Sequence, residues 1–245
     1  FDDAATSDVQ YSWINLGSNP NTAYEEMVVV GFDSNGSDVN AWVWNGTNFT
    51  NNNEPTAAAS ATSNRKALSV AYSGNTSGCS NCTAGLVVSG ASTTGNVVGK
   101  LWTGSAWKIP IVGDMATGNG DVQWLQLKSS PNRGDGKVLL YEQDSVSDMQ
   151  MGVWSGSNWS LINSSENVVI DSTVDALTSP MGDVALNSTN DNGGGFLMWE
   201  TDGTGIRLYQ DYCTFPDAGN NKCTIQLKNI TASTNEPERR YNGTG

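Results

Sequence analysis

The four cysteines are the residues whose spacing comes nearest to that of a reactive site. Cys79 and Cys82 have the CxxC spacing of thiol redox and zinc sites. They lie in a Gly/Ser/Asn-rich loop between two apolar segments, however, whereas a thioredoxin-type motif opens a helix. Cys213 and Cys223 are too far apart to supply the second close pair of a zinc site. The spacing therefore favours two local disulfides, Cys79–Cys82 and Cys213–Cys223, and an oxidising, extracellular setting.

The residue types of the sequence give little support to acid–base or nucleophilic catalysis. The sequence contains no His, which excludes Ser-His-Asp and Cys-His systems and imidazole metal ligands. Glycoside hydrolysis needs two carboxyl groups in one cleft. Five carboxylates are candidates by type, and none stands out by its spacing: Glu25, Glu26, Glu142, Asp144 and Glu200. We expect no catalytic residues and no enzyme activity.

One acidic turn offers oxygen ligands for a hard cation. Asp33, Asn35 and Asp38 lie in the stretch DSNGSD, and a repeat copy keeps Asp144 and Asp148. The stretch lacks the bidentate Glu and the fixed Gly of a calcium loop. Solvated turn residues are the preferred interpretation, and a calcium site is the alternative. We therefore predict no metal centre and no cofactor.

Asn-X-Ser/Thr sequons are frequent and predict covalently attached glycans. Asn48 and Asn158 hold equivalent places in two repeat copies. The alternative interpretation is turn-forming Asn beside abundant Ser and Thr. Together with the predicted disulfides, the sequons indicate a secreted or cell-surface protein. The ten positions are Asn35, Asn45, Asn48, Asn75, Asn81, Asn158, Asn163, Asn187, Asn229 and Asn242.

The charge of the chain limits its partners. A net charge of −13, with 12 Lys and Arg residues scattered along 245 positions, disfavours binding to nucleic acid and to anionic lipid. No apolar run is long enough for a transmembrane helix, and the start lacks the charged-then-apolar pattern of a signal segment. We predict no membrane insertion. Because residue 1 is Phe, we expect a processed product or an excised portion of a longer chain.

A repeated β-hairpin positions these residues. AWVWNGTNFT at Ala41–Thr50 recurs at Gly99–Lys108 and Met151–Ser160, and in altered form at Phe196–Leu208. Each copy has the pattern of a strand ending in Trp, a Gly turn and a strand that opens on an aromatic residue. Packing between sheets is the expected role of these aromatic pairs.

A longer repeat contains this hairpin. Asp8–Thr50 aligns with Asp121–Ser160, and this alignment places Trp13 over Trp124. A second kind of unit follows each copy, so two kinds of unit alternate, each with about four short strands. This pattern predicts an all-β, β-propeller-like fold of about four antiparallel four-stranded blades in tandem. Tandem β-sandwiches are the alternative.

The repeats divide the chain into a repeat domain, 1–212, and a terminal segment, 213–245. The first strand of the fourth blade is predicted at Thr173–Ser179. The terminal segment combines a disulfide loop, an extra strand at Thr224–Ile230 and a polar tail. An unpaired terminal strand suits ring closure or assembly with another chain. The four blades are expected at about 8–50, 64–111, 121–162 and 173–212.

The hairpin pattern W-[NST]-G-[ST]-x-[WF], joined to EEMVVVGFDSNGSDVNAWVW and WLQLKSSPNRGDGKVLLYEQD, resembles repeat regions of large secreted or surface proteins of microbes. The resemblance extends over about Asp8–Tyr212. The fourth unit departs from it at Ile206, where the second aromatic residue of the hairpin is missing. The resemblance implies alternating β-propeller-like blades and carries no catalytic residues to transfer.

These features predict an extracellular or cell-surface structural glycoprotein. We expect it to self-associate through terminal strands as the repeating subunit of a filament. The first alternative is an adhesion propeller that binds carbohydrate or protein through loops on one face. A propeller-type glycoside hydrolase is the third and least supported hypothesis.

Overall fold

The chain forms an all-β structure. The computed structural model describes residues 10–21, 23–56, 61–62, 65–73, 84–90, 97–113, 121–129, 138–145, 149–154, 159–161, 182–186, 195–201, 205–213 and 223–230. Within these ranges the strands form four antiparallel sheets of four strands, each in chain order. The four-stranded units predicted from the repeats are therefore confirmed.

The bounds of the strands are as follows. Sheet 1 contains β1 (Tyr11–Ser18), β2 (Met27–Asp33), β3 (Asp38–Trp44) and β4 (Phe49–Thr56). Sheet 2 contains β5 (Leu68–Ser73), β6 (Ala84–Gly90), β7 (Val97–Trp102) and β8 (Trp107–Gly113). Sheet 3 contains β9 (Val122–Ser129), β10 (Val138–Asp144), β11 (Met149–Trp154) and β12 (Trp159–Leu161). Sheet 4 contains β13 (Gly182–Leu186), β14 (Gly195–Thr201), β15 (Gly205–Cys213) and β16 (Cys223–Ile230).

Alternating side chains explain how the sheets bury their faces. In β3, Val39, Ala41 and Val43 are buried while the residues between them are half-buried. Successive side chains of a strand point to opposite faces, so one face of this strand enters the core. The central strand β10, by contrast, is buried along its whole length, because sheet 3 is covered on both faces.

The sheets stack face to face in chain order. Strands β1, β5, β9 and β13, the first of each sheet, lie side by side in that order. At the junction of sheets 2 and 3, the Leu127 amide donates a 2.9 Å hydrogen bond to the Ser69 hydroxyl. The described core fills this junction and the one between sheets 1 and 2. Sheet 2 thus packs on both neighbours, which favours propeller-like stacking over separate sandwiches.

The aromatic hairpins form as predicted. Trp44 lies opposite Phe49 and Trp102 lies opposite Trp107, with ring centroids 5.1 Å and 5.4 Å apart. The turn glycine Gly46 has φ of 91°, a conformation that a Cβ would penalise. The hairpin closes each of these sheets with its third and fourth strands.

Sheet 4 differs from its predicted composition. Among the described strands, this sheet runs from β13 to β16, and the sequence had assigned β16 to a separate terminal segment. The predicted first strand, Thr173–Ser179, lies outside the described residues. Strand pairing decides the membership of a sheet, and the alternation of apolar residues does not reveal which strands pair.

The described sheets form an open series. β1 and β13 do not pack side by side in the described part of the chain, although each packs against the first strand of its other neighbour. None of the described residues belongs to a helix that is long and apolar enough to span a membrane.

Candidate functional site

A polar cluster lies where sheet 1 meets sheet 2. Glu26 ends the loop between β1 and β2, and its side chain is half-buried. The Tyr72 hydroxyl, at the end of β5, donates to Glu26 Oε1 at 3.0 Å. The amide Nδ2 of Asn19, at the start of the loop, lies 3.5 Å from the same oxygen and also donates to it. Two donors from two sheets therefore orient one carboxylate.

The loop that carries Glu26 is held by its own polar residues. The Asn19 amide donates to the Glu26 carbonyl at 2.9 Å, which closes the loop at its base. The Asn19 side-chain oxygen accepts from the Asn21 amide, and Asn21 Oδ1 accepts from the Ala23 amide. Asn side chains stabilise turns through such local bonds. The carboxylate is thus presented from a defined backbone.

Tyr72 is a neutral donor in this cluster. Its side chain is buried, and burial raises the pKa of the phenol well above its usual range. The negative charge of Glu26 and the hydrogen bond to it raise the pKa further. The phenol therefore keeps its proton at any physiological pH and fixes the orientation of the carboxylate.

A tightly packed, buried apolar cluster lies next to Tyr72. A Cβ added at Gly85 would lie 2.9 Å from Val28 Cγ2, 3.4 Å from Tyr72 Cζ and 3.4 Å from Trp102 Cβ. Trp102 is buried, and its indole N–H finds no hydrogen-bond partner within the described part of the chain. A buried donor of this kind is rare in native proteins. The junction thus holds Val28, Tyr72 and Trp102 around Gly85, and the Tyr72 hydroxyl connects this group to Glu26.

This arrangement suits binding better than catalysis. Glu26 and Asn19 are half-buried hydrogen-bonding groups at the edge of an apolar core, and a few convergent polar groups among apolar residues are typical of a small-molecule site. Tyr24, in the same loop as Glu26, has 48% of its surface exposed and presents an aromatic ring to solvent. Only one carboxylate, Glu26, takes part in the described hydrogen bonds of the cluster.

The other candidate carboxylates do not join Glu26. Glu25 is exposed, and its Oε2 would lie 3.0 Å from a Cβ built at Gly46, so it lies against the β3–β4 turn. Glu142 and Asp144 are buried near the end of β10 in sheet 3. Glu200 lies in β14, opposite Ile206. The five candidates are thus dispersed over three sheets.

The acidic turn forms between β2 and β3. Asp33 Oδ1 accepts a 2.9 Å hydrogen bond from the Asn35 amide, and the Asp33 carbonyl accepts from the Ser37 amide. Asp38 Oδ1 would lie 3.1 Å from a Cβ built at Gly36. These bonds are those of an ordinary Asp turn. The described residues include no cluster of three or more metal-ligating side chains, and calcium at this turn stays an alternative.

The predicted modification sites are described in part. Asn35, Asn45 and Asn48 are exposed in turns of sheet 1. Asn229 lies in β16. The remaining sequons, Asn75, Asn81, Asn158, Asn163, Asn187 and Asn242, lie outside the described residues. Glycosylation stays a prediction.

The predicted disulfides are also described in part. Cys213 lies directly opposite Cys223 in the β15–β16 ladder. Residues opposite each other in an antiparallel pair have Cα atoms about 4.5–5.5 Å apart, within the range of about 4.4–6.8 Å that a disulfide spans. The register thus suits the predicted bond. Cys79 and Cys82 lie outside the described residues.

Sequence reasoning named Glu26 only by residue type and missed its partners. Asn19 and Tyr72 are far from one another in the sequence, and packing between sheets brings them together. A usable signal was present, because Glu26 directly precedes the apolar run MVVV and Tyr72 ends an alternating strand. Both positions predict polar groups at the edge of a core.

Comparison with known proteins identifies the architecture. No protein-family model matches the sequence, and no curated protein matches it. A crystal structure of a fungal lectin from Aleuria aurantia, a six-bladed β-propeller with a novel fucose recognition mode, matches with a TM-score of 0.56 and 15% identity. The match covers 94% of this chain and 68% of the lectin chain. The chain has a β-propeller-like fold.

A second structure of the same lectin agrees with this propeller assignment. It is a mutant in complex with alpha-methyl-L-fucoside, and it matches with a TM-score of 0.52 and 15% identity over 94% of this chain and 67% of the lectin chain. Each sheet of the present chain thus corresponds to one blade, and the chain spans about two thirds of the six-bladed lectin. At this level of identity the comparison defines the fold.

Proposed function

We propose that this chain is a carbohydrate-binding β-propeller and that one binding site lies between sheets 1 and 2. The observation that carries the proposal is the half-buried Glu26 carboxylate, oriented through Oε1 by Tyr72 and Asn19. Within the described residues no hydrogen bond reaches Oε2. This second oxygen accepts hydrogen bonds from sugar hydroxyls, and such charge-assisted bonds are about twice as strong as neutral ones.

The surroundings of Glu26 complete a site for a sugar. The exposed Tyr24 ring, in the same loop as Glu26, offers a stacking surface for the apolar side of a sugar ring. The lectin of Aleuria aurantia is described as recognising fucose, so fucose is the first ligand to test.

Secretion belongs to the same proposal. Glycan ligands are met outside the cell, and the sequons and the opposed Cys213 and Cys223 suit that setting. The cluster at Glu26 favours the adhesion alternative over the purely structural glycoprotein, because packing alone requires no oriented carboxylate at the edge of a junction. The expected lack of enzyme activity stays a prediction.

Two neighbouring carboxylates allow a matched test. Glu26→Gln keeps the size of the side chain and removes its charge, while Glu25→Gln makes the same change in the exposed residue beside it. Titration calorimetry with alpha-methyl-L-fucoside and a glycan array should show binding by the unmodified chain. We expect Glu26→Gln to weaken it at least about tenfold, the equivalent of about 1.4 kcal/mol.

The control variant separates this site from general charge effects. Glu25→Gln should bind as the unmodified chain does, and Tyr72→Phe should weaken binding by a smaller factor because it only loosens the carboxylate. The proposal fails if the unmodified chain binds no glycan of the array. It also fails if the two Gln variants lose affinity equally.

A further inference from the structure

Four polar side chains are buried together at one end of sheet 3. Glu142 and Asp144 lie at the end of β10, Gln150 lies at the start of β11, and Gln123 lies at the start of β9. These strand ends meet at one end of the sheet because neighbouring strands are antiparallel. Each of the four residues exposes at most 2% of its surface. Polar and charged groups are seldom buried so fully unless they are paired or bind a ligand.

Strand register places three of these side chains on one face. Glu142 lies directly opposite Gln150 in β11 and opposite Leu125 in β9. Residues directly opposite each other in antiparallel strands share a face, and Asp144 returns to this face because it follows Glu142 by two residues. Leu125 belongs to the described core, and its amide donates to the Lys66 carbonyl just before β5 of sheet 2. The group therefore lies on the face that meets sheet 2.

The two amide side chains of the group have unused hydrogen-bonding atoms. Neither Oε1 nor Nε2 of Gln123 meets a hydrogen-bond partner among the residues that the structure describes, and the same is true of Gln150 Oε1. Gln123 is the additional residue of a bulge in the β9–β10 ladder, and bulges re-aim side chains beside sites. Buried amides without partners are rare in native proteins. These atoms therefore indicate a group that the protein binds.

Sheet 1 shows that the fold does not require polar side chains at this place. In the repeat alignment, Gly31 is the equivalent of Glu142 and Asn40 is the equivalent of Gln150. Gly31 and Asn40 likewise lie directly opposite each other. The Tyr11 ring lies over Gly31, since a Cβ built there would be 2.8 Å from it. Sheet 1 thus has an aromatic ring where sheet 3 has a buried carboxylate.

We propose that this end of sheet 3 binds a calcium ion. The oxygen ligands are the carboxylates of Glu142 and Asp144 and the amide oxygens of Gln150 and Gln123. Calcium takes carboxylate and amide oxygens, whereas magnesium dehydrates reluctantly and keeps several waters, which suits a buried site less well. A positive ion offsets the cost of burying carboxylates, and the net charge of −13 attracts cations to the chain.

This site is distinct from the acidic turn of sheet 1. In that turn, Asp33 Oδ1 accepts a hydrogen bond from the Asn35 amide. The new site departs from the sequence-based expectation of no metal centre, because its members come from three strands and their spacing gives no motif. Two of its four ligands are amides, so it is not one of the clusters of three or more acidic, His or Cys side chains that the described residues lack.

Calcium titration of the full chain tests the proposal. Calorimetry should show binding with a Kd of about 10⁻⁴–10⁻³ M, the range of extracellular calcium modules. Calcium should also raise the midpoint of thermal unfolding, because a ligand that binds only the folded chain stabilises it. A chelator should reverse this shift, and magnesium at the same concentration and ionic strength should produce a much smaller one.

Two variants each remove one ligand at nearly constant side-chain size. Glu142→Gln removes a charge, and Gln150→Met removes an amide oxygen. Each should weaken calcium binding at least about tenfold, as the loss of even an outer partner of a metal does. Each variant is compared with itself with and without calcium, so an effect of the substitution on folding does not enter the readout. Asp38→Asn, in the acidic turn, is the matched control and should keep the full response.

Three outcomes would overturn the proposal. The first is an unmodified chain that neither binds calcium nor gains stability from it, which would leave the two amides to ordered water. The second is an equal gain with magnesium, which would indicate general screening of negative charge. The third is a Glu142→Gln variant that keeps the calcium response while Asp38→Asn loses it, which would assign the ion to the acidic turn.

Discussion

Sheets 1 and 3 are two copies of one repeat unit in two different environments. Their first strands align residue for residue, with Leu16 equivalent to Leu127. Leu127 is buried at the junction with sheet 2, whereas Leu16 is exposed. The position of the sheet in the stack, and not its own sequence, accounts for this difference.

The comparison of sheets 1 and 3 distinguishes two properties of a repeat unit: which residues share a face, and whether that face is covered by a neighbouring sheet. Alternation decides which residues share a face, and it is the same in both sheets. Whether that face is covered depends on a neighbour of the second kind. Leu16 therefore follows the sequence pattern of a core residue, although it is exposed in a single chain. The effect of this difference on the free energy of unfolding can be measured.

The largest expected effect comes from truncating the two leucines. Leu127→Ala removes buried methyl groups and leaves a cavity between sheets 2 and 3, which should cost about 2–5 kcal/mol of unfolding free energy. Leu16→Ala should change stability by less than about 0.5 kcal/mol, as exposed substitutions do. Urea unfolding of both variants at high dilution measures the contrast. Equal losses would show that Leu16 is also covered within one chain.

Much of the fold follows from local pattern. The Trp–Gly hairpins fix register through paired aromatic residues, so Trp44–Phe49 and Trp102–Trp107 were predictable. The strand composition of sheet 4 was less predictable, because an alternating segment such as Thr224–Ile230 does not indicate which strand it pairs with. The structure shows that it pairs with β15.

Two glycines provide the next contrast. Gly85 lies in the covered junction, where an added Cβ would meet Val28 Cγ2 at 2.9 Å. Gly85→Ala should therefore cost about 1–3 kcal/mol, the usual penalty for overpacking a core. Gly31→Ala would meet the half-buried Tyr11 ring instead, and this side chain can shift by a small rotation. In thermal unfolding we expect a loss of less than about 1 kcal/mol, the cost of displacing one side chain from its rotamer. A larger loss for Gly31→Ala would show that the Tyr11 ring is held firmly in its place.

The candidate site was predictable only in its residue types. Glu26 lies within the repeat, and the alignment of Trp13 with Trp124 makes Lys137 its equivalent, a residue outside the described part of the chain. The two repeat copies thus have residues of opposite charge at this position, and the repeat does not predict a carboxylate there. Asn19 and Tyr72 join Glu26 through the packing of two sheets, a contact that depends on the angle between the sheets.

Tyr72→Phe should have an intermediate effect that depends on pH. Near neutral pH it removes the hydrogen bond to Glu26 and should cost about 1 kcal/mol. The folded pKa of Tyr72 is raised above its unfolded value of 10.0. Its stabilising contribution is therefore complete below about pH 10 and is lost as pH rises towards the folded pKa, by about 1.4 kcal/mol per pH unit.

Unfolding curves at neutral and alkaline pH test whether the contribution of Tyr72 to stability is lost as the pH rises. The unmodified chain should lose stability more steeply above about pH 10 than Tyr72→Phe does, because the variant has no phenol to ionise at this junction. Parallel curves for the two proteins would show that Tyr72 is not buried against Glu26. The effect would then belong to other tyrosines.

The smallest expected effect concerns the exposed ion pair between sheets 3 and 4. Lys128 Nζ lies 3.9 Å from Asp183 Oδ1, with both side chains well exposed, and such pairs contribute about 0–1 kcal/mol. Burial, and next the charge of Lys128, lower the pKa of Lys66, so removing Lys128 also relieves a repulsion. In urea unfolding, Lys128→Ala should therefore change stability by less than about 0.5 kcal/mol, as other surface substitutions do.

The equivalent position in sheet 1 is Gly17, which makes the matched comparison. A Cβ there would lie 3.4 Å from Val70 Cγ2, close to ordinary contact, so Gly17→Ala should also be nearly neutral. If Lys128→Ala and Gly17→Ala leave the free energy of unfolding unchanged while Leu127→Ala lowers it, then apolar burial holds neighbouring sheets together and surface charge does not. A loss in Lys128→Ala well above the range of exposed ion pairs would instead assign this pair a structural role. The junctions could then no longer be treated alike, because one of them would depend on charge.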